Sequence, residues 1–117
     1  MTYVVGFLLA VPKAHKDEYL KFSKKMAAIY KRHGALSVYE SWGNDVPEGK
    51  LNSMHTAVMR EPEEEVVFSW VTWSSKEARD KVHTAIVDAM HEEMENDLIP
   101  FDATRMIYGG FDVILEQ

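Results

Sequence analysis

The chain has 117 residues, with 13 basic and 19 acidic side chains, no cysteine and a formal net charge of -6. That length supports one core, so residues 1–117 are expected to form a single domain. Hydrophobic residues at 46% and charged residues at 27% argue against disorder, and the missing cysteines exclude disulfides, thiolate nucleophiles and cysteine-based metal sites.

No apolar run reaches the ~18 residues of a membrane span, and Met1-Thr2-Tyr3 lacks the basic start of a signal peptide; the expected location is cytoplasmic. Residues 13–32 carry seven basic and two acidic side chains, which leaves the remainder strongly acidic. Nucleic acid is disfavoured as a partner by that balance. The lysine face of the basic segment reads as a solvated helix surface, because Tyr19, Phe22 and Tyr30 point away from it rather than between the lysines.

Tyr3 to Val11 is an almost unbroken apolar run closed by Pro12, and predicts a first strand. A helix follows from about His15 to His33, stopped by Gly34. Its apolar arc is Tyr19, Phe22, Met26, Ile29, Tyr30 and His33, opposite a lysine-rich half. Ala35 to Trp42 predicts a second strand, with Leu36 and Val38 alternating with Ser37 and Ser41. Turn residues fill Gly43 to Lys50, and Ser53 can cap a short helix over Met54 to Val58. The acidic stretch Glu61 to Glu65 reads as a turn before a third strand, Val66 to Trp73. Ser74 and Glu77 have capping-box spacing for a second long helix to about Met90, burying Ala78, Val82, Ala85, Ile86 and Ala89. His91 to Ile99 suggests a further acidic helical turn ended by Pro100, and Arg105 to Leu115 a fourth strand with a bulge or close approach at Gly109-Gly110.

The order is β-α-β-β-α-β, an α+β, ferredoxin-like arrangement with an antiparallel sheet. Both long helices would cover one face of that sheet. Yet the first and third strands are apolar on both sides: Val5, Phe7 and Leu9 against Val4, Leu8 and Ala10, and Val66, Phe68 and Trp70 against Val67, Val71 and Trp73. A sheet face left to water should alternate with polar residues. The second face therefore calls for a cover, most simply another copy of the chain.

Several stretches in order along the chain carry a family resemblance: YVVGFLLAVP at Tyr3 to Pro12, HGAL at His33 to Leu36, DVPEGK at Asp45 to Lys50, EEVVFSW at Glu64 to Trp70, and PFDATRMIYGGF at Pro100 to Phe111. The sequence resembles the YbaA-like bacterial domain of unknown function. That resemblance implies membership of the dimeric α/β-barrel superfamily, in which two ferredoxin-like sheets pack face to face. It implies no reaction, since fold alone does not transmit activity.

Candidate chemistry is sparse. Asp88, His91 and Glu95 share a helix face, but without a metal-binding spacing they read as a solvated acidic helix end, so no metal is expected. No cofactor fingerprint is present, and Gly109-Gly110 cannot cradle phosphate because no helix follows it. His33 reads first as a helix-terminal histidine bonding a free carbonyl, and second as a general base in a pocket. Trp42, Asp45, Trp70, Asp102, Arg105 and Tyr108 complete the candidate ligand-binding set. Arg105 follows Asp102 by three residues, which suits a local ion pair, while its guanidinium can also clamp a carboxylate at two points. No catalytic residue stands out. The expected function is a homodimer that binds a small molecule between sheet and helices. The alternatives are a cofactor-free oxygenase-like enzyme and an interaction module without a pocket.

Overall fold

The structure is a computed structural model and describes residues 2–117. Four strands form one antiparallel sheet: β1 (Tyr3–Pro12), β2 (Ser37–Trp42), β3 (Glu64–Trp73) and β4 (Ile107–Asp112), in the order β2-β3-β1-β4. Helices α1 (Lys16–Arg32) and α3 (Lys76–Met94) are the two long connections, and α2 (Met54–Ala57) is a single turn between β2 and β3. This α+β sheet is consistent with the ferredoxin-like arrangement expected from the strand order.

The apolar arc of α1 behaves as its spacing demands. Tyr19 and Ile29 are buried, Phe22, Met26 and Tyr30 are partly buried against the core, and the lysines face solvent. Helix α3 lays Ile86, Ala89 and Met94 into the same core beside Tyr3, Val71 and Trp73. At the far end of the sheet, Leu9, Val11, Tyr19 and Val67 form a second buried cluster, joined by Phe101 and Met106. Ion pairs Arg32–Glu93 and Lys25–Asp97 tie α1 to the end of α3 and to the turn that follows it.

Strand alternation sorts the sheet into two unlike faces. Tyr3, Val5, Phe7, Leu9 and Val11 of β1 point to the helices, as do Val67, Val71 and Trp73 of β3. Trp73 is 1% exposed. Val4, Gly6 and Leu8 of β1 share the opposite face with Phe68 and Trp70 of β3, Tyr39 of β2, and Ile107 and Phe111 of β4, as the strand register requires. One end of that face is covered by the chain itself, where Val58 packs on Ala10 and Val66. Elsewhere it is bare: Tyr39 is 52% exposed, Phe68 46%, Ile107 47% and Phe111 60%.

Several boundaries differ from the sequence expectations, each for a local reason. Strand β3 starts at Glu64, not Val66, because the Glu64 carboxylate is held by Arg105 and its backbone pairs with Pro12. Ser75 rather than Ser74 caps α3, its hydroxyl accepting from the Ala78 amide at 3.0 Å. That helix runs on to Met94, because the buried Met94 side chain continues its apolar face beyond Met90. Ala85 is exposed rather than buried, and Leu36 lies outside β2 with 53% exposure. Arg105 belongs to a 3-10 turn, Ala103–Arg105, that precedes β4. The register across Gly109-Gly110 is unbroken, so there is no bulge; the close approach is real, since a Cβ on Gly110 would lie 1.7 Å from the Tyr3 hydroxyl oxygen. Ser53 caps α2 as expected, in a capping box with Thr56.

Candidate functional site: a cleft between helices and sheet

The helices do not close completely on the sheet. Between α1, α3 and the inner face of β1 and β3 lie two adjoining hollows of about 180 Å3 and about 400 Å3. They share Phe7, Met26, Tyr30, Val71, Met90 and Met106 in their walls and so form one cleft. Three of those six are methionines, whose flexible thioethers line an adaptable apolar space.

At the β2 end of the cleft sits a pair that alternation brings inward. Val38, Glu40 and Trp42 occupy the helix-facing positions of β2, opposite Val71, Ser69 and Val67. The Tyr19 hydroxyl donates to Glu40 Oε1 at 2.6 Å. Burial raises the Tyr19 phenol above its ordinary value, and the neighbouring Glu40 charge adds to the rise. Partial desolvation beside the cleft raises the Glu40 carboxyl, whose residue remains exposed, and the Tyr19 hydrogen bond that favours its ionised form opposes the rise. Ser23 borders the pair, and its buried Oγ has no hydrogen-bond partner among the described residues. Tyr30, further along the cleft wall, is raised by burial and by Glu40, with Arg79 acting in the opposite sense.

The other end, toward the start of α3, carries positive charge. Arg79 Nη2 donates to the Tyr3 hydroxyl at 3.2 Å, and the guanidinium lies 5.6 Å from the Tyr3 ring centre. The buried Nε of Arg79 makes no hydrogen bond, its nearest carboxylate oxygen being Asp80 Oδ1 at 3.5 Å. Asp80 is itself held by Lys76 Nζ at 2.6 Å. His83 follows Arg79 by one helical turn and borders the same hollow, as does the exposed Tyr108, whose ring lies 6.0 Å from that of Phe7. The cleft is therefore apolar along its length, with an acidic group at one end and a guanidinium at the other.

The residues singled out in the sequence scatter over the molecule. Tyr108 lines the cleft, and Trp42 flanks its β2 end with Lys16 Nζ 5.0 Å from the indole centre. His33 ends α1, where its Nδ1 donates to the Ile29 carbonyl at 2.7 Å, the helix-terminal role. Asp45 is exposed in the loop after β2. Trp70 lies on the opposite face of the sheet, stacked on Tyr39 at 4.9 Å.

Asp102 caps its 3-10 turn by accepting from the Thr104 amide at 3.0 Å, and also accepts from Arg105 Nε at 3.0 Å. Arg105 further grips both oxygens of Glu64 at 2.7 Å and the Met59 carbonyl at 2.8 Å. Its guanidinium thus locks three segments together: the start of β3, the backbone after α2 and the turn before β4. The Arg105 hydrogen bonds hold Glu64 below the ordinary carboxylate range.

Sequence reasoning missed Tyr3, Arg79, His83 and the Tyr19–Glu40 pair as site residues. One signal was available for Glu40: a carboxylate at an inward position between Val38 and Trp42 demands a partner. Among the described residues, no three histidine, aspartate or glutamate side chains come together as a metal-binding group, and no helix is long and apolar enough to cross a membrane.

Residues 2–103 match the family described as "Protein of unknown function (DUF1428)". Over its full length the chain is 43% identical to the uncharacterized protein YbaA of Escherichia coli strain K12, with all of both chains covered. The same identity and coverage hold for the uncharacterized protein YbaA of Shigella flexneri. Among solved structures, the de novo designed protein Foldit4 superimposes with a TM-score of 0.47 at 12% identity, covering 97% of this chain and 99% of its own, too distant a likeness to carry an argument. By its family match and its full-length relatives, the chain belongs to the DUF1428 family of proteins of unknown function.

Proposed function

We propose that the protein works as a homodimer in which each chain binds a small apolar molecule in its helix–sheet cleft. The observation that carries the binding half is the hollow of about 400 Å3 in the helix-side core, within the usual size of small-molecule sites. A structural core of this size normally packs to near-crystalline density, so a hollow walled by methionine and aromatic side chains stands out.

The dimer half rests on the open sheet face. A two-fold interface must be complementary to itself, so every charge near its axis meets its like. From Val4 to Leu8, Ser37 to Ser41 except the inward Glu40, Val66 to Thr72 and Ile107 to Phe111, the outward positions carry no charged side chain. In a chain of net charge -6, an apolar patch free of both signs fits a second copy better than a charged partner. Gly6 and Gly109 leave a shallow floor at its centre, over which the Phe68 and Phe111 rings lean. Packing two such faces together leaves the cleft on the outside of each protomer, open to ligand.

The neutral fluorophore N-phenyl-1-naphthylamine tests the binding half. Its emission should rise on mixing with the protein, with one site per chain, and Val87→Trp, which fills the cleft, should abolish the rise. Trp70→Ala should leave it intact. No enhancement in the wild-type protein would favour an interaction module without a pocket, and loss in Trp70→Ala alone would move the probe to the sheet face.

A further inference from the structure

The two ends of the cleft are not equivalent, and their chemistry narrows the ligand. At the β2 end the carboxylate of Glu40 already has a donor in Tyr19. At the α3 end the guanidinium of Arg79 borders the larger hollow, and its protein partners do not exhaust it. Arginine presents five N–H donors in a planar fork. One reaches the Tyr3 hydroxyl at 3.2 Å, and the buried Nε has no hydrogen bond at all. Asp80, whose Oδ1 lies 3.5 Å from that Nε, is shared with Lys76, and Asp112 stands opposite Tyr3 on the same side of the sheet, so Lys76 and Arg79 face two carboxylates around the opening. The opening is also bordered by His83, on the same face of α3 one turn on, and by the Tyr108 phenol. Beyond the rim the hollow is walled by Phe7, Met26, Val71, Trp73, Ile86 and Met90.

From this arrangement we infer that the cleft takes an organic acid, with its carboxylate on Arg79 at the rim and its apolar body along the methionine-lined wall. The inference rests on the reading of the cleft as a binding site and adds the chemical class of its occupant. A carboxylate placed there accepts from the free edge of the guanidinium, while the buried Tyr3 hydroxyl accepts from Arg79 Nη2 and holds the guanidinium in place. Charge-assisted bonds of this kind are about twice as strong as neutral ones, and more so beside an apolar wall. Gly110 is part of the device. A side chain there would collide with the Tyr3 hydroxyl, so glycine is what lets Tyr3 lie across β4 and hold the guanidinium at the rim. An amine at the same place would meet the guanidinium of Arg79 and is disfavoured.

Isothermal titration calorimetry with three eight-carbon probes, octanoate, octanol and octylamine, separates the possibilities on the wild-type protein. Octanoate should bind about tenfold or more tightly than octanol, and octylamine more weakly than either. Arg79→Gln should remove the preference for octanoate over octanol while leaving octanol binding unchanged, and Arg79→Lys, which keeps the charge but not the fork, should retain part of it. Binding of all three probes with equal affinity, or a preference for octylamine, overturns the acid assignment while the cleft reading stands. Binding of none overturns both. An octanoate preference that survives Arg79→Gln in a folded variant also overturns the assignment, because the carboxylate then sits elsewhere.

Discussion

The two faces of the sheet are built from the same two central strands, with similar apolar content, and yet end in opposite conditions. On the helix side, Trp73 is 1% exposed, edge-on to Tyr30 in the helix-covered core. Three residues earlier in the same strand, Trp70 stacks on Tyr39 and lies tilted against Phe68 on the other face, where both neighbours remain about half exposed. Apolar content alone does not distinguish a finished core from an unfinished one; what distinguishes them is the presence of a cover. Helices α1 and α3 supply it on one side and leave a hollow beneath. On the other side Val58, just after α2, covers one end only.

Paired substitutions break this comparison most sharply. Trp73→Ala should cost the fold about 3–5 kcal/mol, read as a shift in the denaturation midpoint, because it opens a cavity in a packed core. Trp70→Ala should leave the monomer fold nearly unchanged and weaken association by about 2 kcal/mol or more, read by sedimentation, as expected of a central aromatic anchor. Should Trp70→Ala destabilise the fold as much as Trp73→Ala, the distinction between the faces fails.

The Arg105 lock lies at the end of the sheet where both faces meet, and it makes a pH-dependent prediction. The folded carboxyl of Glu64 titrates below its unfolded value, so it stabilises the protein above the unfolded value. That contribution drains away as pH falls through the folded value, because the unfolded chain takes up the proton first. Glu64→Gln should lower Tm by roughly 5 °C at neutral pH. The gap to the unsubstituted protein should close as the solution is acidified below the ordinary glutamate range. A gap that widens on acidification would show that the lock does not depend on the carboxylate.

The smallest expected effect belongs to the cleft. Tyr19→Phe should cost about 1 kcal/mol, the net worth of one hydrogen bond, in a thermal or denaturant melt. The same change should raise the Glu40 pKa further, since the bond it removes favours the carboxylate, and an NMR titration of Glu40 reads that shift. An unmoved Glu40 would mean that the pair is not closed in solution.

How much of this could be read beforehand depended on the range over which each signal acts. The apolar run of β1 and the spacing of Tyr19, Phe22, Met26, Ile29 and Tyr30 are local patterns, and both elements formed where they indicated. The unlike faces followed from counting alternate residues in β1 and β3, which also placed Trp70 and Trp73 on opposite sides. The helical turn suggested after Met90 is continuous with α3 as far as Met94, and the surrounding glutamates mask the one inward methionine that joins it to the core. Arg105 offered its local partner Asp102 in the sequence, whereas Glu64, 41 residues away, became its partner only through the fold. The cleft was least legible of all. Tyr3, Arg79 and Gly110 meet from three separate elements, and no spacing along the chain records that a glycine hydrogen makes room for a tyrosine hydroxyl.

The open face is predicted to be covered by a second copy of the chain. Sedimentation equilibrium at low micromolar concentration measures that directly. The predicted result is a mass of two chains, retained at raised salt because the contact is apolar and uncharged. A compact, folded monomer at that concentration would contradict it.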